Sequence, residues 1–490
     1  MNEDRRDFPS DSVRMGALAL AGSALGHIAP VAACGQTGRE LATMTIVELS
    51  RLLASKKITS RQLVEQSLAA IKDPQGEGAR TFLLVHEGEA LAAADRVDAQ
   101  RRGGSKLHAL AGIPISIKDL FDEAGVVTLG GSKVLVGSPP AKRDSIVVER
   151  LRKAGAVIIG RTNLTEFAYS GLGINPHYGT PKNTFDRTAG RIPGGSTSGG
   201  AISVTDGMAA GAIGTDTGGS VRIPAALNGL VGFKPTARRV PLDGVLPLSR
   251  TLDSVGPIAR TVADCALLDR VLAAETASVP RAARLRGLRF AVPKTVVQDE
   301  LTTVVANAFN AALGRLSAAG ATIVELPMAE FAQAAAVSPR GALPSVEAFA
   351  VHREWMKQKA GKYDPRVIAR IRPGEAISAA RYGEILQLRE RFIHTIKAVA
   401  SGYDAMLMPT TPDTAPTIAE ATRDDETYFR LNSRMLRNSS LVNLFDGCAL
   451  SVPCHEPGSA PVGLMIAGTQ NTDRKILAIG LAVEEIVSQP

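Results

Sequence analysis

Apolar residues recur along this chain in two rhythms. Thr45-Ile-Val-Glu48 matches a helix capping box ahead of Leu49, Leu52 and Leu53, and Thr59-Ser60 precedes Leu63, Val64 and Leu68, so two helices are expected to open the folded part. From Leu110 the period falls towards two, with Ile113, Ile115 and Ile117 leading into Lys118 as in a short buried strand. Ile146 to Ala154 then reads as an amphipathic helix and Ala156 to Gly160 as the next strand. Strand, helix, strand is the rhythm of a parallel sheet covered by helices. Residues 281–403 shift to alanine-rich helical segments, Val304 to Ala319 and Tyr382 to Val399, around an irregular centre at Pro339 to Pro344. Strand patterns return at Asp404 to Pro409 and Cys448 to Pro453. The expected architecture is α/β: a single large domain, residues 40–280 and 404–490, with a central mixed, mostly parallel β-sheet covered by helices on both faces. A mostly helical insertion, 281–403, interrupts it.

Composition narrows the function classes. With 490 residues, 45% hydrophobic and 21% charged, the chain can bury a large core. The net charge is +8, yet the basic residues are scattered: Lys56-Lys57, Arg101-Arg102 and Arg238-Arg239 are pairs, not tracts. One Trp and six Tyr offer little base stacking, so a mildly basic surface is expected and a nucleic-acid partner is not. Cys34, Cys265, Cys448 and Cys454 show no CxxC spacing and the seven histidines lie singly, so neither a metal nor another cofactor is expected. Cys448 and Cys454 read as buried free thiols, with a disulfide the minor alternative.

Residues 1–35 differ from the rest. Arg5-Arg6 precedes an apolar small-residue run from Met15 to Ala33, which reads as a Tat-like export signal with Val31-Ala-Ala33 as the cleavage region. Val31 to Cys34 also reads as a lipobox, which would put a lipid anchor on Cys34. The run is too short for a transmembrane span, which needs roughly 20 apolar residues. A periplasmic or exported location follows; initiation at Met15 would instead leave a cytoplasmic protein.

The densest chemical signal lies between Gly190 and Lys234. Pro193-Gly-Gly-Ser-Thr-Ser-Gly-Gly200 is followed by Gly214-Thr-Asp-Thr-Gly-Gly-Ser220-Val-Arg222-Ile-Pro224. A Thr-Gly-Gly-Ser turn running into a helix from Val221 can aim several backbone N–H groups at one point, as oxyanion stabilisation requires. The phosphate-binding pattern GxxxxGK[ST] is absent and GxGxxG lacks its context, while a purely structural turn would account for one such loop but hardly for two rich in both Ser and Gly.

With Gly112-Ile-Pro-Ile-Ser-Ile-Lys118, the GGSTSGG loop and the GTDTGGSVRIPA block in that order, the chain resembles the amidase signature family over roughly residues 45–275 and 404–480. The resemblance implies hydrolysis of a carboxylic amide through an acyl-enzyme, with Ser220 as nucleophile and Lys118 and Ser196 as the other catalytic members. Ser196 stands 24 positions before Ser220, the family's spacing, which selects it over Ser198. The resemblance also implies a cis peptide bond at Ser196, oxyanion binding by Thr217, Gly218, Gly219 and Ser220, and support from Asp216, Arg222 and Ser198. The chemistry agrees: a serine hydroxyl needs a base, no histidine lies in these motifs, and a lysine serves only when neutral. Burial beside Ile113, Ile115 and Ile117 is expected to lower the Lys118 pKa in that sense.

Gly160 to Ser170 and Asn228 to Arg239, continuing to Asp253, are similar to the branch acting on arylacetamide-type amides such as indoleacetamide and mandelamide. A small aryl or hydrophobic amide is therefore the expected substrate, in a pocket drawn from Ser170 to His177 and the insertion. The same relay would serve an esterase or carbamate hydrolase, and the glutaminase-type amidotransferase component shares this signature. A homodimer is left open. For the amino terminus, intact-mass spectrometry of the mature protein is expected to find cleavage before Cys34, and a chain beginning at Met1 or Met15 would overturn the export reading.

Overall fold

The computed structural model describes residues 43–487; the expected export segment, with Cys34, lies outside the described residues. Both opening helices form where expected. Thr45 and Glu48 exchange the two bonds of a capping box at the start of Ile46–Ala54, and Thr59 and Gln62 do the same for Ser60–Lys72.

Eleven strands make one sheet: β1 (Phe82–Val85), β2 (Pro114–Lys118), β3 (Val157–Thr162), β4 (Gly211–Asp216), β5 (Val231–Lys234), β6 (Ser254–Ala259), β7 (Arg289–Pro293), β8 (Thr322–Leu326), β9 (Ala405–Pro409), β10 (Cys448–Pro453) and β11 (Gly463–Gly468). Their order across the sheet is β1-β3-β2-β4-β6-β5-β10-β11-β9-β7-β8. The single α/β domain and mixed sheet agree with the sequence, but parallel pairing does not predominate. It is confined to β3-β2-β4 and β9-β7-β8, and every other pairing is antiparallel. Connection chemistry explains this. A helix carries the chain from β2 to β3 and from β7 to β8, as parallel crossovers require, whereas β5–β6 and β10–β11 are joined without one and must reverse.

The segment 281–403 also departs from expectation. Its first part, residues 289–326, is strand, helix, strand and completes one edge of the sheet; the helical excursion proper runs over 329–400. Helices cover both faces. The alternation of β10 shows it: Leu450 and Val452 pack with Ile476 and Val483 of Asp473–Val487, while Ala449 packs with Leu441 and Val442 of Asp425–Leu444. Cys265, Cys448 and Cys454 are buried free thiols. No helix among the described residues is long and apolar enough to cross a membrane.

Period-two alternation decides which way β2 presents its residues. Ile115 and Ile117 enter the large core with Phe233 and Val255. Ser116 and Lys118 point to the other face, where Ser116 Oγ lies 2.8 Å from Ser203 Oγ on the helix Ser198–Thr205. Ile117 is wholly buried, so Ile117→Ala is expected to cost about 2–5 kcal/mol, measured as a lowered urea midpoint.

Candidate active site

β2 ends at Lys118, whose Nζ donates to Ser196 Oγ at 2.8 Å and to Thr215 Oγ1 at 2.9 Å. The lysine is completely buried, and burial pushes its pKa down to about 7 against the pull of Asp216 and Asp253. The isoleucines of β2 are not the cause in the way the sequence suggested, because they face the opposite side of the sheet. On the face to which the amine points lie the Ser196 loop and the helix Ser198–Thr205. The approach is close: a Cβ on Gly214 would meet Thr197 Oγ1 at 2.6 Å, so β4 carries glycine where the Ser196 loop crosses it. The Gly195–Ser196 peptide is cis.

Of the two loop serines it is Ser196 that meets Lys118. Ser198 is the first residue of the helix Ser198–Thr205, and its buried hydroxyl finds no hydrogen-bond partner among the described residues, so it supports the loop only by position. The loop and the Ser220 turn are tied together by the Thr197 N–H, which donates to the Ser220 carbonyl at 3.2 Å.

Asp216, wholly buried at the end of β4, holds that turn. Its carboxylate accepts from the Gly219 N–H at 2.8 Å, the Val221 N–H at 3.1 Å and Asn443 Nδ2 at 2.9 Å, and pairs with Arg222 at 2.9 Å. Burial opposes ionisation, but the Arg222 guanidinium and these donors hold the carboxyl well below the usual carboxylate range. Asp216 and Arg222 thus hold the turn through hydrogen bonds and an ion pair.

One expected oxyanion donor is already taken. The Gly219 N–H belongs to Asp216, leaving those of Thr217, Gly218 and Ser220, which reach no acceptor among the described residues. Gly219 serves by conformation: its φ is +129°, and a Cβ there would lie 2.1 Å from Ser439 Oγ.

Thr217, Gly218 and Ser220 open onto a cavity of about 820 Å³. Ser170 lines it too, its hydroxyl donating to Asn432 Oδ1 at 2.8 Å. Leu248, Leu252, Phe429 and Leu436 give the walls an apolar character, and Phe331 and Pro344 come from the helical excursion. The size suits a small molecule.

Several contributors carry no signal that sequence reasoning used. Thr215 stands inside the glycine-rich block but reads as an ordinary strand residue. Asp253 accepts from Thr217 Oγ1 and from the N–H groups of Leu248 and Ser249, and burial raises its pKa to about 6. Asn432, Ser439 and Asn443 lie among other polar residues of Asp425–Leu444 with nothing to single them out; only the fold brings them to the turn, where Ser439 Oγ donates to the Gly218 carbonyl at 2.7 Å. Away from this site, His86, Glu89 and Glu123 place three donors together, but Glu123 already bonds His86 at 2.9 Å and Arg152 at 2.7 Å.

Residues 62–477 match the family described as amidase. The chain is 33% identical over 454 residues to the 2-amino-5-chloromuconic acid deaminase of Comamonas testosteroni, covering 91% of this chain and 97% of that one. It is 34% identical over 487 residues to a glutamyl-tRNA(Gln) amidotransferase subunit of Acidothermus cellulolyticus, covering 91% and 94%. A crystal structure of an amidase superposes with a TM-score of 0.81 at 32% identity, covering 91% of this chain and all of the other.

Arg222→Met leaves the Asp216 charge buried without its cation, and is expected to cost about 3–5 kcal/mol. The folded-state pKa of Asp216 lies below its unfolded value, so the pairing contributes above about pH 4 and is lost as pH falls through the folded-state value. Urea midpoints of the two proteins should therefore converge in acid, and a constant difference would contradict the assignment.

Proposed function

The chain belongs to the amidase family and is a hydrolase of amide C–N bonds, and from that premise we propose that Ser220 is its nucleophile, with Ser196 and Lys118 as the proton relay. The observation that carries this reading is the 2.8 Å contact between a buried lysine and Ser196, in a loop bonded to the Ser220 turn.

With a pKa of about 7, much of Lys118 is neutral at physiological pH. Its amine then keeps two hydrogens, one of them for Thr215, and a lone pair to accept from the Ser196 hydroxyl. Ser196 passes its proton to Lys118 as it takes the one on Ser220, and Ser220 Oγ attacks the amide carbon. The N–H groups of Thr217, Gly218 and Ser220 receive the oxyanion in an apolar cavity, where such bonds act strongly. Ser196 next protonates the leaving nitrogen, recovering its own proton from Lys118, and the C–N bond breaks to leave an acyl-serine. Water, deprotonated through the same relay, releases the acid and restores the enzyme.

The apolar walls support a substrate with a small aryl or hydrophobic body. The similarity to amidotransferase subunits favours a second reading, in which glutamine is the substrate and partner subunits use the ammonia. Turnover of aryl amides by the isolated chain, against glutamine turnover that needs partners, separates the two; esters and carbamates in the same panel rank the leaving group.

Ser220→Ala and Lys118→Ala are each expected to lower kcat/KM on the best amide by about 1000-fold or more. Ser198→Ala should stay within a few fold. In wild type, kcat/KM should rise with pH through a midpoint of about 7, as Lys118 loses its proton. A fluorophosphonate should label Ser220; labelling at another serine, or full activity in Ser220→Ala, would overturn the mechanism.

A further inference from the structure

Three arginines line the cavity onto which Ser220 opens, Arg340, Arg370 and Arg437, and among the described residues no aspartate or glutamate lines it. A positive field inside apolar walls is poorly screened and selects the charge of what enters.

Arg370 is held in place without being neutralised. Its Nη1 donates to the Tyr169 carbonyl and its guanidinium lies 4.2 Å from the centre of the Tyr169 ring, next to Ser170. Neither contact supplies a negative charge. Arg437 stands on Asp425–Leu444, three residues from Ser440 and one from Leu436. Those two lie 3.7 and 3.6 Å from a Cβ built on Gly218, so the helix surface that carries Arg437 reaches the Ser220 turn. Arg437 Nε donates to Asn438 Oδ1 at 3.0 Å, while its buried Nη2 has no hydrogen-bond partner among the described residues. The acidic groups that act on it are Asp299 and Glu300 after β7, and Glu300 is already paired with Arg434 at 3.3 Å. By contrast Arg161, Arg222 and Arg239 each meet a carboxylate at 2.7–2.9 Å. Arg340 sits exposed in a left-handed turn with Gly341 and makes no ion pair among the described residues.

We propose that the cavity accepts amides bearing a second, anionic group, a carboxylate at the far end of a short apolar body. Arg370 and Arg437 bind the carboxylate, and Arg340 attracts it at the exposed edge. A carboxylate stripped of water needs charged donors, and guanidinium forks match its two oxygens. A neutral amide of the same length leaves those donors unpaired, which is how a polar site rejects an analogue lacking its partner. This specificity rests on the reading of Ser220 as nucleophile.

The test compares ω-amido acids of four to six carbons (succinamate, glutaramate, adipamate) with butanamide, pentanamide and hexanamide, following ammonia release by the full chain. The best amido acid is expected to exceed its neutral counterpart in kcat/KM by about 10-fold or more, the value of a charge-assisted pair. Arg370→Gln and Arg437→Gln should each lower the amido-acid value by about 10-fold, leaving the neutral amide within about three-fold. Fluorophosphonate labelling of Ser220 at the wild-type rate in each variant shows the site still folded. A wild type that prefers the neutral series, or variants that lose both series equally, would overturn the proposal. If Ser220 resists labelling and neither series turns over, the hydrolase mechanism fails instead. The arginines are then judged by calorimetric titration with glutarate: binding lost in Arg370→Gln/Arg437→Gln upholds the anion site, and binding unchanged or absent in wild type removes it.

Discussion

Asp216 is a carboxylate cut off from water, and an ionised carboxylate in that position persists only if the protein surrounds it with donors. Meeting that demand organises everything nearby. Two of its donors are the Gly219 and Val221 N–H groups, so the chain must turn back around the carboxylate after β4. A third is Arg222, which opens the short helix Arg222–Leu227, and a fourth is Asn443 from the last third of the sequence. Ser220 stands between Gly219 and Val221. Its position is thus set by the way the backbone on either side satisfies a buried charge.

Lys118 faces the opposite electrostatic problem and solves it by giving up its charge. Among the described residues no carboxylate touches its amine; Asp216 and Asp253 act only at longer range, and two hydroxyls make the contacts. Asp216 keeps its charge because Arg222 touches it, and Lys118 tends to lose its own because no ion does. One sheet region holds both outcomes, and the difference is local pairing.

The sequence exposes the site more fully than it exposes the fold. Lys118, Ser196, Asp216 and Ser220 all fall in short contiguous motifs, where glycines mark a backbone forced to approach something closely. The 24-residue spacing points to Ser196, whose hydroxyl lies 2.8 Å from the Lys118 amine. The true part of Gly219 stays hidden in the sequence, because one N–H looks like another until its acceptor is known. Sheet direction stays hidden because it depends on connections, and the stretch between β5 and β6 carries no hydrophobic rhythm announcing a reversal. β7 and β8 are lost because the alanine-rich helical pattern of Val304 to Ala319 stands between them and dominates that stretch. Asn432, Ser439 and Asn443 have no legible signature, since their partners lie more than 200 residues away.

That last separation bears on how the protein is made. A chain emerging from the ribosome presents β2, the glycine-rich loops and the turn long before Asp425–Leu444 exists. Until then Asp216 lacks Asn443, the Gly218 carbonyl lacks Ser439, and the pocket wall beside Ser170 lacks Asn432. Domains fold largely as units during synthesis, and here the unit closes only once Asp425–Leu444 is present. The Ser220 turn is therefore built early but locked late, since a nascent chain carries the full motif well before Asp425–Leu444 has been made.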